Sequence, residues 1–481
     1  MTAAPAPAAP TLGPVLRFRG AGAGRLRLAV TVAGPAPEGV RPLGALGGLP
    51  FGGAELDLAV PPGADAVALP PGLRTALPEL PAAVAVPGAE GALRLAFASC
   101  NGAEDEAALL RVPGGRDAMW RRLLARHAAR PFHLLVLGGD QIYADAVWTL
   151  PRLAAWRALP RRRRLAAPWT EAMAAEAAGH YRDVYARAFG SPAVRAALAA
   201  IPSVMIWDDH DIVDGWGSRA EAWQRAPVPQ GLFRTARRAF ALLQLGIDPA
   251  AAPPASAGFA GTPGAGFGWS GTLGPARIVV PDLRSGRTRR RVMAAAAHAH
   301  LRGAAAGHGR AHTIVVSSVP LVNADLSAVE RLVRPLMPVL DLFQDDLRDQ
   351  WMSHAHRAEW RGVMDALLRA AAAGSRVTVL SGEIHLGARG TARRDGASVA
   401  QLIASGIAHP PPPGVLARLH ERFARRPWDR EGVALAMRPV LPDGRRYVAE
   451  RNWLEVTAGA EGGLEAVLHA EASGAVALGE G

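Results

Sequence analysis

Apolar and polar residues alternate with period two along the first stretch of the chain. VLRFRG (15–20), RLRLAVTVAG (25–34) and AELDLAV (54–60) each stop at glycine or proline. Successive strand side chains point to opposite faces, so this pattern predicts short half-buried strands joined by turns. It marks residues 1–90 as a small β-rich N-terminal domain, ending in the proline-punctuated stretch around Pro81 to Pro87. From Leu93 the pattern changes, and short apolar runs end abruptly in polar, reactive residues. These runs are LRLAFASCN (93–101), FHLLVLGGDQIYAD (132–145), SVMIWDDHDIVD (203–214) and RVTVLSGEIHLGARG (376–390). Helical stretches lie between them, for example Asp117 to Ala129 and Ala355 to Ala373. Strands alternating with helices predict an α/β domain over residues 91–460, whose ligands gather at the carboxyl ends of its strands. Residues 461–481, rich in Ala and Gly, are expected to form a flexible tail.

The irregular pieces are less informative. Residues 148–200 read as an Arg/Ala-rich helical insertion, whose run Arg161 to Arg164 is expected to be a solvated face. GFGWSGTLGPARIVVPDLRSGR (266–287) reads as a hairpin followed by a loop, and HPPPPG (409–414) as a rigid turn. DLFQDDLRDQWMSHAHRAEW (341–360) reads as a helix with a charged face and with Trp351 and Trp360 buried. His354 and His356, two apart, would point to different sides of it and make no metal pair.

Composition narrows the class. Hydrophobic residues at 49% and charged residues at 20% of 481 describe a globular chain. A lone cysteine, Cys100, rules out an intrachain disulfide framework and a cysteine-only zinc cluster. No apolar window approaches the ~18 residues of a membrane span. MTAAPAPAAPTLGPVLRFRG, the opening, shows neither a basic n-region nor a twin-arginine pair, so a cytoplasmic location is expected. The net charge is +12, carried by arginine alone, since the chain has no lysine. Arginine suits phosphate and nucleic acid. A nucleic-acid partner is therefore compatible with the charge but not required by it, and nothing here sets an oligomeric state.

The reactive groups at the four strand ends carry more information. They are Cys100, Asp140 with Tyr143 three residues on, the cluster Asp208, Asp209, His210 and Asp211, and Glu383 with His385 two residues on. Singly, each has a structural reading: a buried small hydrophobe for Cys100, a turn cap for Asp140, a core histidine for His385. Three carboxylates around one imidazole repel one another unless a cation or an arginine compensates. Together the groups offer what a two-metal hydrolase needs, a bridging carboxylate, further ligands for each ion and a proton donor.

FASCN (97–101), GDQIYAD (139–145), WDDHDIVDGWGS (207–218), PDLRSGR (281–287), SGEIH (381–385) and IASGIAHP (403–410) resemble, in that order, the PhoD-like (alkaline phosphatase D) branch of the calcineurin-like metallophosphoesterases. The resemblance spans residues 91–457 and implies a β-sandwich flanked by helices (αββα), preceded by a small β-rich domain. It implies a metal set of Cys100, Asp140, Tyr143, Asp209, Glu383 and His385, with Asp140 bridging. Glu383 stands where the family usually has Asp, keeping the carboxylate one methylene further out. Thiolate, phenolate and imidazole suit ferric iron, while the oxygen set Asp140, Asp209 and Glu383 suits calcium. The resemblance implies the same iron–calcium pair, with zinc and manganese as alternatives.

The implied activity is hydrolysis of phosphate monoesters, phosphate diesters or both by a metal-bound hydroxide at a dinuclear centre. His210 is expected to protonate the leaving alkoxide, with Asp208 or Asp211 orienting its ring, and Arg284 to clamp phosphate or else to form a structural ion pair. Two alternatives compete. One is an arginine-rich polyanion or nucleic-acid binder without catalysis. The other is an HD-type phosphohydrolase built on His210–Asp211 with His180, which needs that pair on a helix.

Overall fold

The computed structural model describes residues 12–88, 91–261, 266–307, 309–325 and 349–479. The chain enters as antiparallel strands Val15–Gly22 (β1), Arg25–Ala33 (β2), Arg41–Leu46 (β3) and Leu49–Ala59 (β4). Ala66–Ala68 (β5) and Ala83–Ala85 (β6) pair as a separate two-stranded ribbon. Leu93–Ala98 (β7), Leu134–Gly138 (β8) and Ser203–Ile206 (β9) follow, buried at every residue. Such continuous apolar runs belong to parallel strands covered on both faces, and these three run parallel.

The chain then crosses to a second sheet. Its strands are Trp269–Leu273 (β10), Ala276–Val280 (β11), His312–Ser317 (β12), Arg376–Ser381 (β13), Gly387–Arg394 (β14), Ala397–Ile403 (β15), Trp428–Arg430 (β16), Val433–Arg438 (β17) and Tyr447–Val448 (β18). They order as β10-β11-β12-β13-β15-β14-β17-β16, with β18 also on β14, and β11, β12, β13 and β15 are parallel. Asn452–Ala458 (β19), Leu464–Ala470 (β20) and Gly474–Ala477 (β21) return to the first sheet, whose order is β21-β20-β19-β7-β8-β9-β1-β2-β4-β3.

Strand periodicity makes the two sheets a sandwich. On β12, Ile314 and Val316 share a buried cluster with Leu95 and Leu135 of the first sheet. Val315, between them, packs instead with Val363 and Leu367 of the helix Arg357–Ala372. One face of the strand meets the other sheet and the opposite face meets helix, which is the expected αββα layering. Each such valine or leucine contributes roughly 1.5–3 kcal/mol by leaving water. Trp351 and Trp360 are buried as expected, whereas 341–348 of the segment read with them lie outside the described residues.

Register aligns the strand ends. Ser317 pairs with Ser381 and Ser381 with Ile403 in one sheet. In the other, Ala98 pairs with Leu137 and Gly138 with Ile206. The loops after β7, β8, β9, β13 and β15 therefore leave the sandwich along one rim, where ligands of open α/β sheets collect.

Two boundary expectations are corrected. The N-terminal strands are β-rich as read, but β1 lies parallel beside β9 with Arg17 opposite Ser203, so β1–β4 extend the first sheet. A period-two pattern reads the same for a separate sheet and for an edge extension. The expected flexible tail holds β20 and β21. Leu464, Ala466, Leu468 and Ala470 face inward at alternate positions, a pattern that small residues hide. Among the described residues, no helix is long and apolar enough to cross a membrane.

Candidate active site at the strand-end rim

Backbone strain marks the rim first. Among the described residues, seven that are not glycine have positive φ, and four of them are Cys100 (55°), Asp140 (53°), Glu383 (68°) and His385 (54°). Side chains with a Cβ rarely adopt this conformation. It costs of order 1–3 kcal/mol each and concentrates where function demands an orientation. Glycine beside them allows close approach. A Cβ on Gly139 would lie 2.9 Å from Asp208 Cβ, and one on Gly382 2.1 Å from Ser99 Oγ.

Hydrogen bonds tie these loops together. The Cys100 N–H donates to Gly139 O at 3.1 Å and the Asn101 N–H to Asp140 O at 2.8 Å. Cys100 Sγ lies 3.2 Å from Ser405 Oγ and 3.5 Å from Asp140 Oδ2. Tyr143 stacks on His210 with ring centres 4.4 Å apart, and its ring lies 5.4 Å from that of His409. His385 lies flat against His409, with centroids at 3.6 Å, and the His385 backbone N–H donates to Ser405 Oγ at 2.9 Å. Chain positions nearly three hundred residues apart thus converge. Glu383 shares the turn of His385, and its Oε2 accepts from Gln350 Nε2 at 2.7 Å.

Three sets of side chains bring candidate ligand atoms within 4.8 Å of one another: Asp140, Asp208 and Asp209; Asp209, His210 and Asp214; and Glu104, His385 and His409. The first set is the most telling, because all three carboxylates are buried. Burial and the charge of Asp208 push the Asp140 carboxyl well above its usual range, and burial pushes Asp208 up to about 6. Asp140 Oδ1, Asp208 Oδ2, the Tyr143 hydroxyl and His385 Nδ1 are buried with no hydrogen-bond partner. Buried polar atoms normally find partners, and clustered anionic oxygens without donors fit a cation. Burial, then His409, lowers the His385 imidazole well below its ordinary value, leaving the neutral ring that a metal ligand must be. The residues present therefore fit a metal centre.

His210 is placed differently. Its Nδ1 lies 2.7 Å from Asp145 Oδ2, and its Nε2 lies 3.8 Å from Glu104 Oε1. Burial alone would lower its pKa. The carboxylates of Asp145, Asp209 and Asp140 more than reverse this and hold it well above the ordinary value. A ring that keeps its proton could donate it.

The partner expected for His210 is corrected. Asp211 accepts instead the backbone N–H groups of Asp140, Gln141, Ile142 and Asp208 and the Gln244 amide at 2.7 Å. It pins the loops after β8 and β9 and does not touch the reaction side. Asp208 pairs with Arg284 rather than with His210.

Arg284, expected as a phosphate clamp, is corrected too. It is 0% exposed and paired to Asp208, Asp209 and Asp349, with Nη1 donating to Trp216 O at 3.1 Å. A guanidinium enclosed this way holds loops to the sheet and has no face left for a substrate. The HD-type alternative fails on position, since His210 and Asp211 follow strand β9 and His180 Nε2 lies 3.0 Å from Ala144 O.

Asp145, Glu104, His409 and Asp349 were not singled out from sequence. Asp145 and His409 carried a signal, as members of GDQIYAD and IASGIAHP. Glu104, whose Oε2 lies 3.1 Å from His409 Nε2, follows no pattern around Cys100.

Comparison with known proteins bears on the family and the fold. A family model described as PhoD related phosphatase matches residues 96–339. The uncharacterized protein YGR266W of Saccharomyces cerevisiae (strain ATCC 204508 / S288c) is 22% identical over 460 residues, covering 74% of this chain and 64% of that protein. The chain thus spans less than two thirds of that relative's length. The solved structure of PhoD overlays with a TM-score of 0.52 at 11% identity, over 99% of this chain and 94% of that one, which shows a shared fold. Purple acid phosphatase PPD1 from yellow lupin (Lupinus luteus) seeds overlays with a TM-score of 0.47 at 9% identity, over 96% and 72%.

Proposed function

The chain belongs to the PhoD-related phosphatase family, and on that premise we propose that it hydrolyses phosphate esters, monoesters or diesters, at a two-metal centre on the strand-end rim. The observation that carries this reading is the buried trio Asp140, Asp208 and Asp209, ligand atoms within 4.8 Å of one another and two oxygens without donors.

Cys100, Asp140, Tyr143 and His385 would hold one ion, and Asp140, Asp209 and Glu383 the other. Thiolate, phenolate and imidazole favour ferric iron, and the carboxylates favour calcium. Zinc and manganese suit the imidazole and carboxylates as well. When bound, such ions supply Lewis acidity, drawing charge from phosphoryl oxygens and making water nucleophilic near neutral pH.

The chain's own groups handle the leaving group. Asp145 accepts from His210 Nδ1, which fixes the ring and leaves the proton on Nε2 for transfer. As the ester P–O bond breaks, that proton passes to the departing alkoxide, and the imidazole recovers one from the proton shed by the attacking water. Tyr143, stacked on His210, limits its tilt. Arg284 and Asp211 serve by holding Asp208 and the loops in place.

Assay of p-nitrophenyl phosphate and bis-p-nitrophenyl phosphate before and after chelation tests the reading. Turnover of at least one ester should vanish on chelation and return with metal. Fully metallated protein that cleaves neither would remove the basis for it.

A further inference from the structure

A second charged site lies away from the rim. Thr378, Leu380 and Leu402 alternate with Val377, Val379 and Val399, which face the helical layer. Leu380 and Leu402 belong to the core shared with the first sheet. On this inner side a cavity of about 320 Å³ opens between β13, β14, β15 and β17 and the residues Leu464 and Gly479 near the C-terminus. Among the described residues that line it, four are arginines, Arg376, Arg389, Arg393 and Arg438, and none is a carboxylate. Arg376 stands at the start of β13, roughly 16 Å from the rim end of that strand at ~3.3 Å per residue.

The charges here are left unanswered. Among the described residues, the side chains of Arg389, Arg393 and Arg438 make no hydrogen bond and no ion pair, while Arg376 Nη1 donates to Gly462 O at 3.0 Å. Arg389 and Arg438 stand directly opposite on neighbouring strands, a like-charge pairing that destabilises a sheet. Two buried polar atoms add to this. The Thr378 hydroxyl, on a residue 0% exposed, and Arg389 Nε both lack a partner. Burial, then Arg438, lowers the Arg389 pKa from its ordinary value, as expected for a cation short of an anion.

We propose that this cavity binds a small anion bearing two or more phosphate groups, at a site separate from the catalytic centre. Guanidinium forks match phosphate oxygens two at a time. Arginines on three strands around about 320 Å³ exceed what one phosphate can contact. A bound di- or oligophosphate neutralises the Arg389–Arg438 pair.

Equilibrium dialysis of metal-loaded, full-length protein against methylenediphosphonate, which resists hydrolysis, tests the site. Saturable binding should survive in Asp140→Asn and weaken at least tenfold in the double variant Arg389→Gln/Arg438→Gln. That double variant should keep p-nitrophenyl phosphate turnover, and monophosphate should bind the site at least tenfold more weakly. Loss of all binding in Asp140→Asn, or unchanged binding in the double variant, would overturn the proposal. Should the double variant fail to fold, Arg393→Gln, at an exposed position on the cavity wall, should bind severalfold more weakly, and wild-type affinity there would equally overturn it.

Discussion

Carboxylates crowd the end of the sandwich where Cys100, Asp140 and His385 stand, whereas arginines gather around the inter-sheet cavity further along β13. Each region holds more like charge than its protein neighbours answer, and each leaves buried polar atoms without partners. The regions differ in backbone. At the acidic rim Cys100, Asp140, Glu383 and His385 sit on loops with positive φ, strained into one orientation. Arg389, Arg393 and Arg438 lie within regular strands. Strain is worth its cost where ligand atoms must be placed to a fraction of an ångström, as catalysis requires. Simple anion binding tolerates long side chains on a plain sheet. If both proposals hold, unanswered charge marks a ligand site in both places, and backbone strain tells the catalytic one from the other.

Substitutions at the rim sharpen this contrast. The largest effect is expected from Arg284→Met. Leaving Asp208 and Asp349 buried without their guanidinium should destabilise the fold by about 3–5 kcal/mol in denaturant melts. A variant of normal stability whose KM alone rises would restore the phosphate-clamp role. Asp145→Asn should act on chemistry instead, lowering kcat about 30- to 100-fold with little change in KM. Its pH profile carries the sign. Asp145 helps hold the His210 pKa above its ordinary value, and a general acid works only while protonated. Removing that carboxylate should move the alkaline limb of kcat to lower pH, and an unmoved limb would take His210 out of the proton-donor role.

Much of the rim was legible because reactive residues followed apolar runs directly. A run as short as FHLLVLG, bounded by Pro131 and Gly139, reads as a buried strand, so Asp140 and Tyr143 fall just past its end. The same logic placed His210 after β9 and His385 after β13. What escaped reading were pairings, which depend on how loops fold back in space. Asp211 follows His210 directly while Asp145 lies 65 residues away, yet a hydrogen bond of 2.7 Å goes to Asp145 while Asp211 turns toward backbone N–H groups. Arg284 drew attention by its chemistry, but only burial shows that carboxylates surround it. The arginine cavity was invisible for another reason. Its members lie on β13, β14 and β17, and in a chain whose basic residues are all arginine no one of them stands out.

Metal content per chain tests the central claim most directly. Elemental analysis of purified protein loaded with iron and calcium should find two ions per wild-type chain. Asp140→Asn, which removes the proposed shared carboxylate, should retain one or none. Wild-type protein that binds no metal, or an Asp140→Asn variant that keeps both ions, would contradict the account.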